Sequence, residues 1–126
     1  MKATSETNPK HAVAHPCASQ LSILRIAHEG LRYHGIYYFV PGILNHFDTE
    51  TIVALAAPRP LLFLSGEKDP GAPVDGIRVI EQRVARIYRL YGRERSFQSV
   101  VYPGIGHVYT LEMWEKTMTW LDKELK

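Results

Sequence analysis

Leu61, Leu62, Phe63 and Leu64 are four consecutive large apolar residues, set between the punctuation Pro58-Arg59-Pro60 and the break Ser65-Gly66. A run this short between breakers is too brief for a helix. It predicts a strand buried on both faces, as in a parallel sheet covered by helices. The segment that follows, Gly66-Glu67-Lys68-Asp69-Pro70-Gly71, is polar and rich in turn formers. It puts Asp69 on a loop just past the carboxyl end of the strand, which is where open α/β sheets carry their sites.

The arrangement recurs one unit later. Phe97 to Tyr102 reads as a second strand, and Pro103-Gly104-Ile105-Gly106 turns the chain into His107. Between the two units Ile77, Ile80, Val84, Ile87 or Tyr88, and Tyr91 recur at steps of three and four, with arginines largely elsewhere, which predicts an amphipathic helix. Gly92 suits the left-handed cap that would end it, and Asp75 its N-cap. The order is strand, Asp loop, helix, strand, His loop, helix. A right-handed crossover would carry both loops to one rim and make Asp69 and His107 neighbours.

APRPLLFLSGEKD and YPGIGH together resemble the C-terminal part of an α/β-hydrolase, most closely the branch of dienelactone hydrolases and acetyl-xylan-esterase-like enzymes. The likeness covers roughly residues 31–126. It implies a partial α/β-hydrolase fold: the last two or three parallel strands with flanking helices, the N-terminal half absent. It also implies Asp69 as the triad acid and His107 as the triad base, in the order serine, acid, histidine. No G-x-S-x-G occurs in the 126 residues, so the nucleophile elbow and oxyanion loop of the family have no counterpart in this sequence. The resemblance therefore implies a portion of a serine hydrolase of carboxylic esters or lactones that is inactive alone. A small ester would be the substrate of the complete enzyme, with no cofactor.

Composition bounds the alternatives. The chain is 45% apolar and 22% charged, which is ordinary for one globular domain, and 15 basic against 13 acidic residues leave a charge of +2. Such a balance gives no support for nucleic acid or a membrane surface as partner. The most apolar window, Ile36 to Leu44, is interrupted by Pro41-Gly42 and falls far short of the ~20 residues a spanning helix needs. A lone Cys17 cannot make an internal disulfide and the first ten residues lack a signal peptide's apolar core, so the chain as given reads as cytoplasmic.

Residues 1–19 read as a frayed N-terminus with a degraded strand at His11 to Cys17, and residues 20–126 as the hydrolase-like portion. Within that portion, residues 20–48 form a rim or lid-like segment, with a short helix over Gln20 to Leu31 and an aromatic stretch from Tyr33 to Phe47. Packing explains such aromatics more readily than substrate contact does. Asp48 is a good N-cap for a helix reaching Leu55. Leu111, Trp114, Met118, Leu121 and Leu125 predict the docked face of a C-terminal helix.

Other candidates are weaker. Glu67 and Asp75 rival Asp69 as the acid. Ser65 lacks the glycines of an elbow, and Ser19, Ser22 and Cys17 lie between no convincing strand and helix. His11 and His15, with Cys17, have no second ligand pair at zinc spacing, and His28, His34 and His46 are scattered, so no metal site is expected. Two further readings stand beside the hydrolase portion. One is a non-catalytic interaction module that self-associates or pairs with the missing N-terminal half, since a half-sheet leaves an edge and a helix layer incomplete. The other is an unrelated small α/β domain in which Asp69 and His107 never meet.

Overall fold

The structure is a computed structural model that describes residues 13–16, 40–42 and 45–126. The expected helix at Gln20 to Leu31, most of the aromatic stretch, and Cys17, Ser19 and Ser22 lie outside the described residues. Three parallel strands form one sheet in the order β1-β2-β3: β1 Val13–Pro16, β2 Leu61–Gly66 and β3 Phe97–Tyr102. Val13 pairs with Leu61, Leu61 with Phe97 and Gly66 with Tyr102, so β2 is central and β1 and β3 flank it. The expected short strand near the N-terminus is thus present, ending at Pro16.

All six residues of β2 are buried, which is what its unbroken apolar run predicts. Alternation sends its side chains into two cores. Leu61 and Phe63 join Val53, Ile80, Val84 and Tyr88 on one face, and Leu62 and Leu64 join Tyr102, Met113 and Trp120 on the other. The first core is covered by α1 (Thr49–Ala54) and α2 (Val74–Leu90), the second by α3 (Leu111–Glu124). In the first core Phe97 meets Phe63 edge-on at 5.9 Å and stacks on Tyr88 at 5.4 Å, both favourable aromatic geometries.

Helix α1 starts where Asp48 accepts the Thr49 N–H at 2.6 Å, the cap its sequence predicts. Helix α2 buries Ile77, Ile80, Val84 and Tyr88, and Gly92 follows it at φ +63°. Tyr91, which completes the predicted stripe, stays 59% exposed because the helix has ended at Leu90. Asp75 is not the N-cap. Pro73 occupies that position with φ −52°, and Asp75 lies one turn-step inside, accepting from Gly76 N–H at 2.9 Å. The proline's fixed φ and missing N–H suit a helix start, and an early carboxylate still complements the dipole.

The docked face of α3 differs from the predicted one. Met113, Thr117 and Trp120 are buried, whereas Leu111 is 73%, Trp114 53%, Met118 43% and Leu125 58% exposed. Two stripes at the same period overlap on this helix, and the sheet takes the one containing a threonine. Burial of Thr117 is tolerated because its hydroxyl donates to the Met113 carbonyl at 2.9 Å and bonds the Tyr109 hydroxyl at 2.7 Å. Leu121, expected in the docked face, is partly buried and touches the second core from its border.

Candidate active site

Strand β2 ends at Gly66, and the chain turns at once: Asp69 N–H donates to the Gly66 carbonyl and Ala72 N–H to that of Asp69, both at 3.2 Å. The turn folds the Asp69 side chain inward and buries the residue. Its Oδ1 accepts the Gly71 N–H at 2.8 Å. Its other oxygen, Oδ2, stands 2.8 Å from Nδ1 of His107. The two residues that the sequence order places on one rim therefore meet, 38 positions apart. An ionised carboxylate can only accept, so opposite one Nδ1 would carry the ring proton and Nε2 would be left to accept.

His107 sits at the middle of a tight turn closed by Val108 N–H donating to the Gly106 carbonyl at 2.9 Å. Its side chain is 64% exposed, against 3% for that of Asp69. A buried acid bonded to an exposed imidazole is an arrangement that can hold a base toward the rim. Tyr102, the last residue of β3, is buried, and its hydroxyl is held above its ordinary range, first by burial and then by the nearby charge of Glu112 and by Tyr109.

The Asp and His loops are joined by their backbones. Glu67 N–H donates to the Tyr102 carbonyl at 3.0 Å and Lys68 N–H to that of Ile105 at 2.8 Å. Gly66 lies directly beneath the second loop: a Cβ there would stand 2.5 Å from the Ile105 carbonyl oxygen and closer still to that of Gly106. Sequence reasoning missed this role of Gly66, treating Ser65-Gly66 only as a break. The glycine repeat around His107 was the one signal that backbones might approach closely here.

Rival candidates separate from the pair. Glu67 turns its carboxylate to the Gly104 N–H at 2.8 Å, and Asp75 belongs to the first turn of α2. Ser65 is 1% exposed within β2, and its hydroxyl makes no hydrogen bond among the described residues. An open cleft at the start of α1, lined by His46, Phe47, Asp48 and Thr51 beside a Glu50–Arg83 ion pair, shares no residue with the pair. Among the described residues no three His, Cys, Asp or Glu side chains gather as a metal site, and no helix is long and apolar enough to cross a membrane.

No protein-family model matches the chain. Over 97 residues it is 34% identical to a Bacillus subtilis protein named "Putative hydrolase YtaP", a span of 77% of this chain and 32% of that protein. Its fold matches a carbohydrate esterase family 15 glucuronoyl esterase from Caldicellulosiruptor kristjansonii with a TM-score of 0.58 and 25% identity, over 63% of this chain and 20% of that one. It also matches TT1662 from Thermus thermophilus with a TM-score of 0.57 and 23% identity, over 70% of this chain and 36% of that one. The chain spans about a third of the length of the curated relative it matches. With the three parallel strands and their helices, these likenesses make it a C-terminal α/β-hydrolase-like part.

Proposed function

We propose that this chain is the acid- and histidine-bearing portion of a serine hydrolase acting on carboxylic esters or lactones. The observation that carries the reading is the 2.8 Å contact between buried Asp69 and exposed His107. In the complete enzyme a serine Oγ attacks the acyl carbon while Nε2 of His107 takes its proton. Collapse of the tetrahedral intermediate breaks the ester C–O bond, and the same proton passes from Nε2 to the departing alcohol. Water then repeats the sequence on the acyl-serine: Nε2 takes a proton from the water and gives it back to Oγ as the acid leaves. Asp69 stays ionised throughout, holding the ring and stabilising the imidazolium.

The serine comes from outside these 126 residues, since the sequence has no elbow motif and Ser65 is buried. The isolated chain should therefore show no turnover of a p-nitrophenyl ester above background. Joined to a serine-bearing hydrolase portion it should turn over, and His107→Ala should then reduce the rate by about 10⁶-fold, the scale seen when a triad histidine is removed outright. Robust turnover by the isolated chain, abolished by His107→Ala, would refute the outside nucleophile.

The exposed stripe on α3 favours a second reading, an interaction module whose work is docking. Leu111, Trp114, Met118 and Leu125 form an apolar row along one helix face. In both readings the row meets the same occupant, a serine-bearing hydrolase portion. They differ only in whether ester turnover follows assembly.

A further inference from the structure

We infer that Glu67 is a positioning residue for His107, acting through the backbone of the His loop; the inference rests on the Asp69–His107 pair read above as a triad acid and base. Every other tie between the two loops is made by backbone or by the pair itself. Glu67 supplies the one side-chain bond from the Asp loop to the turn that leads into His107, its Oε2 accepting the Gly104 N–H at 2.8 Å.

The geometry makes that bond consequential. Gly104 has φ +71° at the crown of the turn Tyr102-Pro103-Gly104-Ile105, and this turn's own closing bond, Ile105 N–H to the Tyr102 carbonyl, is long at 3.5 Å. Pro103 contributes no N–H. The crown is thus held chiefly from outside, by the Glu67 carboxylate, while Glu67 and Lys68 N–H groups hold its two ends at the Tyr102 and Ile105 carbonyls. Residues 66–68 form a clasp on residues 102–106, and His107 is the next residue along. Among the described residues its exposed ring has one polar contact, Asp69, so the ring's direction depends on where the clasp sets Gly106. A carboxylate is well matched to a backbone N–H, since charge-assisted bonds are shorter and stronger than neutral ones.

The test reads the ring itself, on the full chain and without any ester. Long-range proton–nitrogen correlation spectra report the tautomer of the His107 imidazole once the ring is neutral, and hydrogen exchange reports the Gly104 N–H. In the wild type the Nδ1–H tautomer should dominate. Glu67→Ala should lower the Nδ1–H to Nε2–H ratio several-fold and speed exchange at Gly104 by about tenfold, with the melting temperature nearly unchanged. Glu67→Gln keeps an oxygen acceptor and should restore most of both. A ratio unmoved by Glu67→Ala overturns the role of Glu67 while leaving the Asp69–His107 pair intact. Equal effects of Ala and Gln also overturn it, because loss of charge and not of the bond would then be responsible. A wild-type ring with no Nδ1–H preference sinks both the pair and the inference.

Discussion

Gly66 shows how much of the site rests on one missing side chain. The Asp and His loops approach until only a hydrogen fits between Gly66 and the carbonyls of Ile105 and Gly106. Those neighbours are backbone, so Gly66→Ala cannot be relieved by a rotamer change. It should cost about 1–3 kcal/mol in denaturant unfolding and loosen the Asp69–His107 contact. Tyr88 gives the second prediction at this scale. Its hydroxyl donates to the Arg59 carbonyl at 2.5 Å, and burial, partly offset by the Arg59 charge, pushes its pKa up from 10.0 to about 12. The fold therefore prefers the protonated phenol. That stability is fully present below pH about 10 and is lost as pH rises from about 10 to about 12, by at most about 2–3 kcal/mol. Tyr88→Phe should flatten this alkaline limb relative to wild type; parallel pH–stability curves for the two proteins would count against it.

Among the elements, type was legible in the sequence, and so was the rotation of α2, whose predicted stripe Ile77, Ile80, Val84 and Tyr88 is buried, but the rotation of α3 was not. The apolar run at Leu61 to Leu64 announces a doubly buried strand because no other element buries four adjacent residues so completely. The meeting of Asp69 and His107 followed from strand order and crossover handedness alone. For α3 the three-and-four spacing gave a helix correctly, but its apolar periodicity fits two adjacent faces. The choice between them depends on contacts with Leu62, Leu64 and Tyr102, which periodicity does not encode. The N-cap of α2 went astray for a similar reason, since Pro73 and Asp75 both suit a helix start and only the path from the Asp loop decides. The two tryptophans of α3 make the rotation measurable. Trp120, 3% exposed, should cost about 3–5 kcal/mol when replaced by alanine. Trp114, 53% exposed, should cost less than about 1 kcal/mol in the same substitution. The reverse ranking in chemical denaturation would mean that α3 docks by the face its sequence first suggested.

At the scale of the whole molecule, the row Leu111, Trp114, Met118 and Leu125 is more apolar surface than a helix turned to water ordinarily carries. Exposed Glu115 and Asp122 border it. In an antiparallel pairing of two α3 helices, the border of one copy faces the same border of the other, so acid would meet acid. A partner with a basic margin and an apolar helix face fits better, and the serine-bearing hydrolase portion is the occupant proposed for it. The expected result is a chain that stays monomeric in sedimentation at tens of micromolar, roughly the range in which weak association shows. It should bind that portion with an affinity that Leu111→Lys combined with Trp114→Glu weakens by about 100-fold or more. Because both side chains are exposed, the double variant should unfold within about 1 kcal/mol of the wild type, which separates lost docking from lost folding. A chain that dimerises through α3 would hand the row to a second copy. A chain that binds the serine-bearing portion equally well after both substitutions would remove α3 from the interface altogether.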